Sequence, residues 1–151
     1  MIITKSKGRI FFFFIITLIF AETLMAQTTF YDLNTIQKIE LFFSQSNWDY
    51  QLDTAKYGSG KYLIADSVKI NDINFNLPGV KYKGNSSYDS TYIKNPIHIV
   101  LDKSLNQSYQ GITDIKLGNG YADPSLIRDV LAYDLLKNYM HCPRANFAQL
   151  Y

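Results

Sequence analysis

The chain has 151 residues, a formal net charge of +2, 47% hydrophobic and 19% charged residues, and one cysteine. That length fits a single domain, and the apolar-to-charged balance excludes an intrinsically disordered chain. A lone cysteine excludes an internal disulfide framework, and 8 glycines with 4 prolines exclude a collagen-like or Pro/Gly-rich fibre.

Lys5, Lys7 and Arg9 precede the apolar run Ile10–Ala21, and the small residue Ala26 stands before Gln27. This layout is that of a secretory signal peptide spanning residues 1–26. Twelve apolar residues fall short of the about 20 needed to cross a bilayer core. Leu24 sits where a smaller residue is commoner at cleavage sites, which keeps an uncleaved anchor as the alternative. The expected product is residues 27–151, exported to the cell envelope or medium and free of the membrane after cleavage. It carries 12 basic and 12 acidic residues, without the clustered Lys/Arg of a nucleic-acid binder, so no nucleic-acid partner is expected. All 12 tyrosines lie in this part, where their apolar bodies and polar tips suit half-buried strands.

Ile36–Phe43 is rich in β-branched and aromatic residues and reads as a strand. Ser46 or Asn47 can cap a short helix through Trp48, Tyr50 and Leu52, ending before the breakers at Tyr57–Gly60. Residues 62–70 and 73–82 form the arms of a hairpin around Asn71-Asp72, a pair that tolerates positive φ. Pro78-Gly79 bends or bulges the second arm. Gly84–Thr91 is a polar loop. Pro96 opens the strand Ile97–Leu101, with Ile97, Ile99 and Leu101 on one face and His98 and Val100 on the other. A polar connection over 102–112 leads to a strand at Thr113–Leu117 and a turn at Gly118–Gly120. The main helix is expected over about residues 124–140, with Asp123 as N-cap and Pro124 at the first helical position. Asn146–Tyr151 reads as a closing strand. A chain ending inside an apolar strand leaves an open sheet edge, so the expectation is an incomplete domain that lacks its continuation. The fold class is therefore α+β, a mostly antiparallel sheet with one main helix.

Three segments in order carry a family resemblance: Val80-Lys-Tyr-Lys-Gly-Asn-Ser-Ser87, Lys94-Asn-Pro-Ile-His-Ile-Val-Leu101, and the run from Asp123-Pro-Ser-Leu-Ile-Arg-Asp129 through Pro143-Arg-Ala-Asn146. Together, across roughly residues 30–151, they resemble the N-terminal part of the spore-coat protein H (CotH) kinase family. The resemblance implies the β-rich N-terminal lobe of an atypical protein kinase fold, with a helical C-terminal lobe as its missing partner. It implies transfer of the ATP γ-phosphoryl group, with Mg2+, to Ser or Thr of a surface or secreted protein. Lys83, Gly84, Asn85, Ser86 and Ser87 would then face the nucleotide phosphates, Lys83 or Lys94 would supply positive charge, and Asp129 would be the helix acid. Two departures stand out. His98 and Val100 occupy positions where the family's strand carries lysine, and a short, often neutral His98 is a poor phosphate clamp. The family's metal-binding and catalytic aspartates have no counterpart within these residues. No catalytic residue, metal site or cofactor is therefore assigned within the chain, and the chain alone is expected to be inactive.

Plainer readings stand beside these. Lys83–Ser87 can be a turn in which Gly84 and Asn85 supply positive φ, His98 a strand residue bonded to a neighbour, and Asp129 a solvated acid favoured by the helix dipole. His141-Cys142 lacks further ligands at zinc spacing, and Asp49, Asp53, Asp66 and Asp72 lack the spacing of a calcium loop. The rival function is an exported, non-catalytic module that presents tyrosine-rich strands to a protein or glycan.

Overall fold

The structure, a computed structural model, describes residues 29–92 and 94–151. Residues 1–26, expected from the sequence to be a signal peptide, lie outside the described residues.

Two four-stranded sheets share one hydrophobic core. In chain order the elements are β1 (Gln37–Phe42), α1 (Trp48–Tyr57), β2 (Leu63–Ile64), β3 (Ser67–Ile70), β4 (Ile73–Asn76), β5 (Gly79–Tyr82), β6 (Ile97–Val100), β7 (Asp114–Leu117), α2 (Arg128–Leu136) and β8 (Ala148–Leu150). The first sheet runs β4-β3-β1-β8 and the second β2-β5-β6-β7. Every pairing is antiparallel except β1 with β8. The α+β class and the mostly antiparallel pairing follow the sequence expectation.

The hairpin around Asn71-Asp72 joins the sheets. Both turn residues have positive φ, 45° and 71°, the backbone that a two-residue hairpin turn requires. One register then runs from Ile70↔Ile73 through Ser67↔Asn76 to Leu63↔Val80, so a single long hairpin supplies β3 and β4 to one sheet and β2 and β5 to the other. The crossing point is Leu77-Pro78. Leu77 adopts φ 52°, its N–H donates to the Asp66 carbonyl, and the Pro78 carbonyl accepts from Ala65. Proline cannot donate to a ladder, and here its neighbours carry the ladder around the bend.

Asn71 also locks the hairpin to β1. Its Oδ1 accepts from the Lys38 N–H at 2.8 Å, and its Nδ2 donates to Gln37 Oε1 and to Tyr109 Oη. The Asn71 bond to Oε1, together with Nε2 donating to the Thr35 carbonyl, satisfies the side chain of Gln37, which is 1% exposed, as burial of a polar side chain requires. Between the sheets lie Ile39, Val68, Ile70 and Phe75 from one and Val80, Tyr82, Ile97, Ile99 and Ile115 from the other. α1 closes the second sheet through its one buried residue, Leu52, and through Tyr82 Oη donating to Asp49 Oδ1.

The α2 region differs from the expected helix over 124–140. Asp123 does cap backbone N–H groups, but those of Ser125 and Arg128, across a turn rather than at a helix start. Ala122 and Leu126 both have positive φ, 56° and 61°, so the chain turns twice before helical dihedrals begin at Arg128. Asn138 Nδ2 donates to the Asp134 and Leu135 carbonyls, ending the helix four residues early. Only Val130 of α2 is buried, while Leu131 is 62% and Leu135 58% exposed.

The closing strand pairs, in parallel, with β1: Gln37 opposite Ala148 and Ile39 opposite Leu150. Asn146 holds its entry, with Nδ2 donating to the carbonyls of Phe30, Asp32 and Thr35 at 2.9–3.1 Å. All three β8 residues are exposed, at the outer edge of the sheet.

Candidate functional site

β5 and β6 build the site. Alternation along β5 sends Val80 and Tyr82 to the core, leaving Lys81 and Lys83 on the opposite face. Register sets Lys81 directly opposite His98 on β6, and His98 opposite Lys116 on β7. A cleft of about 330 Å³ is lined by Ala55 and Lys56 from α1, Gly60 and Lys61 from the following turn, Lys81, Tyr82 and Lys83 from β5, and His98. The lining holds four lysines and no carboxylate.

Several lysines elsewhere are paired. Lys38, Lys69, Lys116 and Lys137 each lie within 4.0 Å of a carboxylate. Lys56, Lys61, Lys81, Lys83, Lys94 and Lys103 have no such partner among the described residues, and four of these six converge here. Lys56 is held, its ammonium donating to the Gly84 carbonyl and lying 5.4 Å from the Tyr88 ring centroid. Lys81 and Lys103 lie 4.4 Å and 4.9 Å from the centroid of the same ring, Tyr62.

His98 sits in a hydrogen-bonded row. Its Nδ1 is 3.2 Å from Tyr62 Oη and its Nε2 2.8 Å from Asp114 Oδ2. Burial pushes the Asp114 carboxyl up, but the His98 bond and the Lys116 ammonium outweigh it and hold it below the ordinary value. His98 is thus 9% exposed with both ring nitrogens partnered.

The loop after β5 is tied at several points. Gly84 adopts φ 80°, and an added Cβ there would overlap Ser87 Oγ. Its carbonyl receives Lys56, and Tyr88 Oη donates to Asp53 Oδ1 at 2.6 Å, so α1 positions the loop. Asn119 Nδ2 donates to the Ser87 and Lys94 carbonyls, fastening the loop to the turn after β7. Lys83 and His98 line the cleft and Gly84 borders it. Asn85 and Ser86 are exposed, Ser87 is half-buried, and Lys94 is exposed outside the lining. Asp129 is exposed, makes no ion pair among the described residues, and faces Gly118 just beyond β7. Leu117 lies opposite Ile97, itself opposite Tyr82, so Asp129 is at the Lys83 end of the sheet but two strands across, about 10 Å by ordinary sheet spacing. The sequence reading missed Lys56, Lys61 and Lys81. Alternation in Lys-Tyr-Lys could have flagged Lys81 beside Lys83, whereas Lys56 and Lys61 arrive only through the packing of α1 on β5.

Residues 80–151, from β5 through β8, match the family model described as CotH kinase protein. Over this stretch the chain is similar to the CotH kinase proteins. No curated protein shows a significant match to the chain. The CotH segment contributes Lys81, Lys83, Gly84 and His98 to the site, while Lys56, Gly60 and Lys61 come from residues before it. In this CotH-like, kinase-related sequence the glycine loop begins directly after Lys83, a lining residue of the lysine cleft.

Burial and the Asp49 bond raise the Tyr82 phenol far above its ordinary value, and burial with the Asp53 bond does the same for Tyr88. The folded state therefore keeps two phenolic protons that the unfolded chain releases near pH 10. This contribution to stability is complete below about pH 10 and is lost as pH rises above it. Thermal melts from pH 8 to 11 should show a steep alkaline fall, flattened in Tyr82→Phe/Tyr88→Phe.

Proposed function

We propose that this chain is the exported N-terminal lobe of a CotH-type kinase, whose lysine cleft holds the phosphates of ATP. The supporting observation is the convergence of four carboxylate-free lysines beside the Gly84 loop. Phosphoryl transfer depends mostly on positioning and charge stabilisation, and cations beside a loop of backbone N–H groups supply both. The acceptor is a Ser or Thr hydroxyl of a surface or secreted protein. Its oxygen bonds to the γ-phosphorus as the bridging P–O bond breaks, ADP leaves, and the hydroxyl proton passes to a base.

The phosphates fit the donor set; the metal does not. No group of three or more His, Cys, Asp or Glu among the described residues is placed to hold a cation. In this reading the metal ligands and the base belong to a second, helical lobe, and this lobe alone binds nucleotide without turning it over.

Millimolar Mg-ATP is expected to raise the melting temperature of the protein by several degrees, since ligand at about 100 times its Kd adds roughly 2.7 kcal/mol. No shift would overturn the nucleotide reading. The exposed apolar face of α2 favours a second reading, an exported non-catalytic module that docks on a protein, and an unchanged melting temperature would support it.

A further inference from the structure

We infer that Tyr62, His98 and Asp114 form an acyl-transfer site, with the Tyr62 phenol as nucleophile, His98 as its base and Asp114 positioning His98. The reactant is an activated acyl donor, an acyl phosphate or an activated ester, whose leaving group departs as an anion. The inference does not depend on nucleotide binding in the cleft.

Sheet register assembles the three residues. Leu63 lies opposite Val80, so Tyr62 just before it reaches the level of Lys81, which is itself opposite His98. His98 lies opposite Lys116, and Asp114, two residues away, shares the Lys116 face. Tyr62 Oη is 3.2 Å from His98 Nδ1, and Nε2 is 2.8 Å from Asp114 Oδ2. The ionised Asp114 carboxylate can only accept, so the neutral ring carries its hydrogen on Nε2 and its Nδ1 lone pair receives the phenolic O–H. Nucleophile, base and orienting carboxylate thus stand in sequence within hydrogen-bond reach.

Two other phenols beside α1 are built differently. Tyr82 donates to Asp49 and Tyr88 to Asp53, and a free carboxylate is a weaker base than imidazole by roughly a hundredfold or more. Burial holds both of those protons in place, whereas Tyr62 is half-buried and its oxygen has no second hydrogen-bond partner among the described residues. Lys81 and Lys103 lie 4.4 Å and 4.9 Å from the Tyr62 ring centroid, and Lys61, next in the chain, lines the cleft with His98. Positive charge therefore stands beside the phenol, where a carbonyl oxygen and a leaving group would become negative. In the reaction the Tyr62 oxygen bonds to the acyl carbon, and the bond from that carbon to the leaving oxygen breaks. The phenolic proton passes to His98 Nδ1, and Asp114 stabilises the imidazolium until the proton leaves for the departing anion or bulk water. The product is an acyl ester of Tyr62.

The test mixes the full chain with 4-nitrophenyl acetate, and separately with acetyl phosphate, at one neutral pH. The ester should give a burst of about one nitrophenolate per chain, the mark of a covalent acyl intermediate. Peptide mass spectrometry should place the acetyl group on Tyr62 with both donors. Tyr62→Phe keeps the ring beside Lys81 and Lys103, so it should abolish the burst while melting close to the parent. His98→Gln should slow the burst by about a hundredfold or more, the usual share of a general base. Asp114→Asn should slow it at least about tenfold, and Asp114→Glu should restore most of the rate, which a packing role would not give. Tyr92→Phe, at an exposed position, should change nothing. Acetylation of Tyr62 by one donor alone would support the inference and identify the leaving group that the site accepts. A burst that survives Tyr62→Phe, or acetyl groups as frequent on Tyr92 as on Tyr62, would overturn it. So would a rate that His98→Gln leaves unchanged, or acetylation by neither donor. None of these results bears on the melting shift with Mg-ATP, so the acyl site and the nucleotide reading fail separately.

Discussion

Ile99→Ala should destabilise the protein by about 3–4 kcal/mol, within the roughly 2–5 kcal/mol that such core truncations cost. Ile99 is fully buried at the centre of β6, the strand flanked on both sides in the second sheet. Its neighbours in register are Val80 on β5 and Ile115 on β7, both core residues, so the lost methyl groups leave a cavity between rigid backbones. A domain with a stability of about 5–15 kcal/mol would give up a large share of it. Urea unfolding should show a lower midpoint at unchanged slope. Val100→Ala, on the opposite face of the same strand and only half-buried, should cost well under half as much. Equal losses at the two positions would mean that the core does not lie between the sheets as described.

Gly84→Ala has its largest effect on the cleft rather than on the fold. Its φ of 80° is a conformation that an L side chain adopts at a cost of roughly 1–2 kcal/mol, and the added carbon would displace Ser87. Relief comes from moving the loop, which breaks the Lys56 bond to the Gly84 carbonyl and shifts the loop's backbone N–H groups relative to the cleft. The expected result is a melting temperature lowered by only a few degrees, with Mg-ATP affinity reduced more than tenfold. A variant that melts like the parent and binds Mg-ATP equally well would show that the loop plays no part in holding the phosphates.

The hairpin and the α2 region show what could be read along the chain and what could not. Asn71-Asp72 announced its turn because positive φ is a local property that these side chains tolerate, and the turn then fixed the register of four strands. Nothing local announced that the hairpin would divide between two sheets at Leu77-Pro78, since that depends on where β1 and β6 lie. Asp123-Pro124 carries the usual marks of a helix start. The side chain found its backbone donors one turn later instead, with Ala122 and Leu126 taking up positive φ. Propensity is a weak guide where an apolar helix face has no neighbour to pack on, as the exposure of Leu131 and Leu135 shows.

The site divides in the same way. Lys83 and Gly84 were legible because a turn glycine after a strand lysine is a short-range pattern, whereas His98 was legible only as a residue on one face of a strand. Balanced totals of 12 basic and 12 acidic residues after position 26 gave no hint of a cationic cleft. Charge balance is a property of the whole composition, but the cleft is a property of proximity.

The amino-acid sequence by itself determined the strands, the turn at Asn71-Asp72, the inward and outward faces of β5 and β6, and the CotH resemblance, because these depend on dihedral preference and on spacing within a few residues. The tertiary structure alone decided that β8 would lie parallel to β1 across more than a hundred residues, that α1 would fasten the Gly84 loop, and that Lys56, Lys61, Lys81 and Lys83 would share one cleft without a carboxylate. Those outcomes turn on which elements become neighbours, and neighbourhood is set by burying one common core.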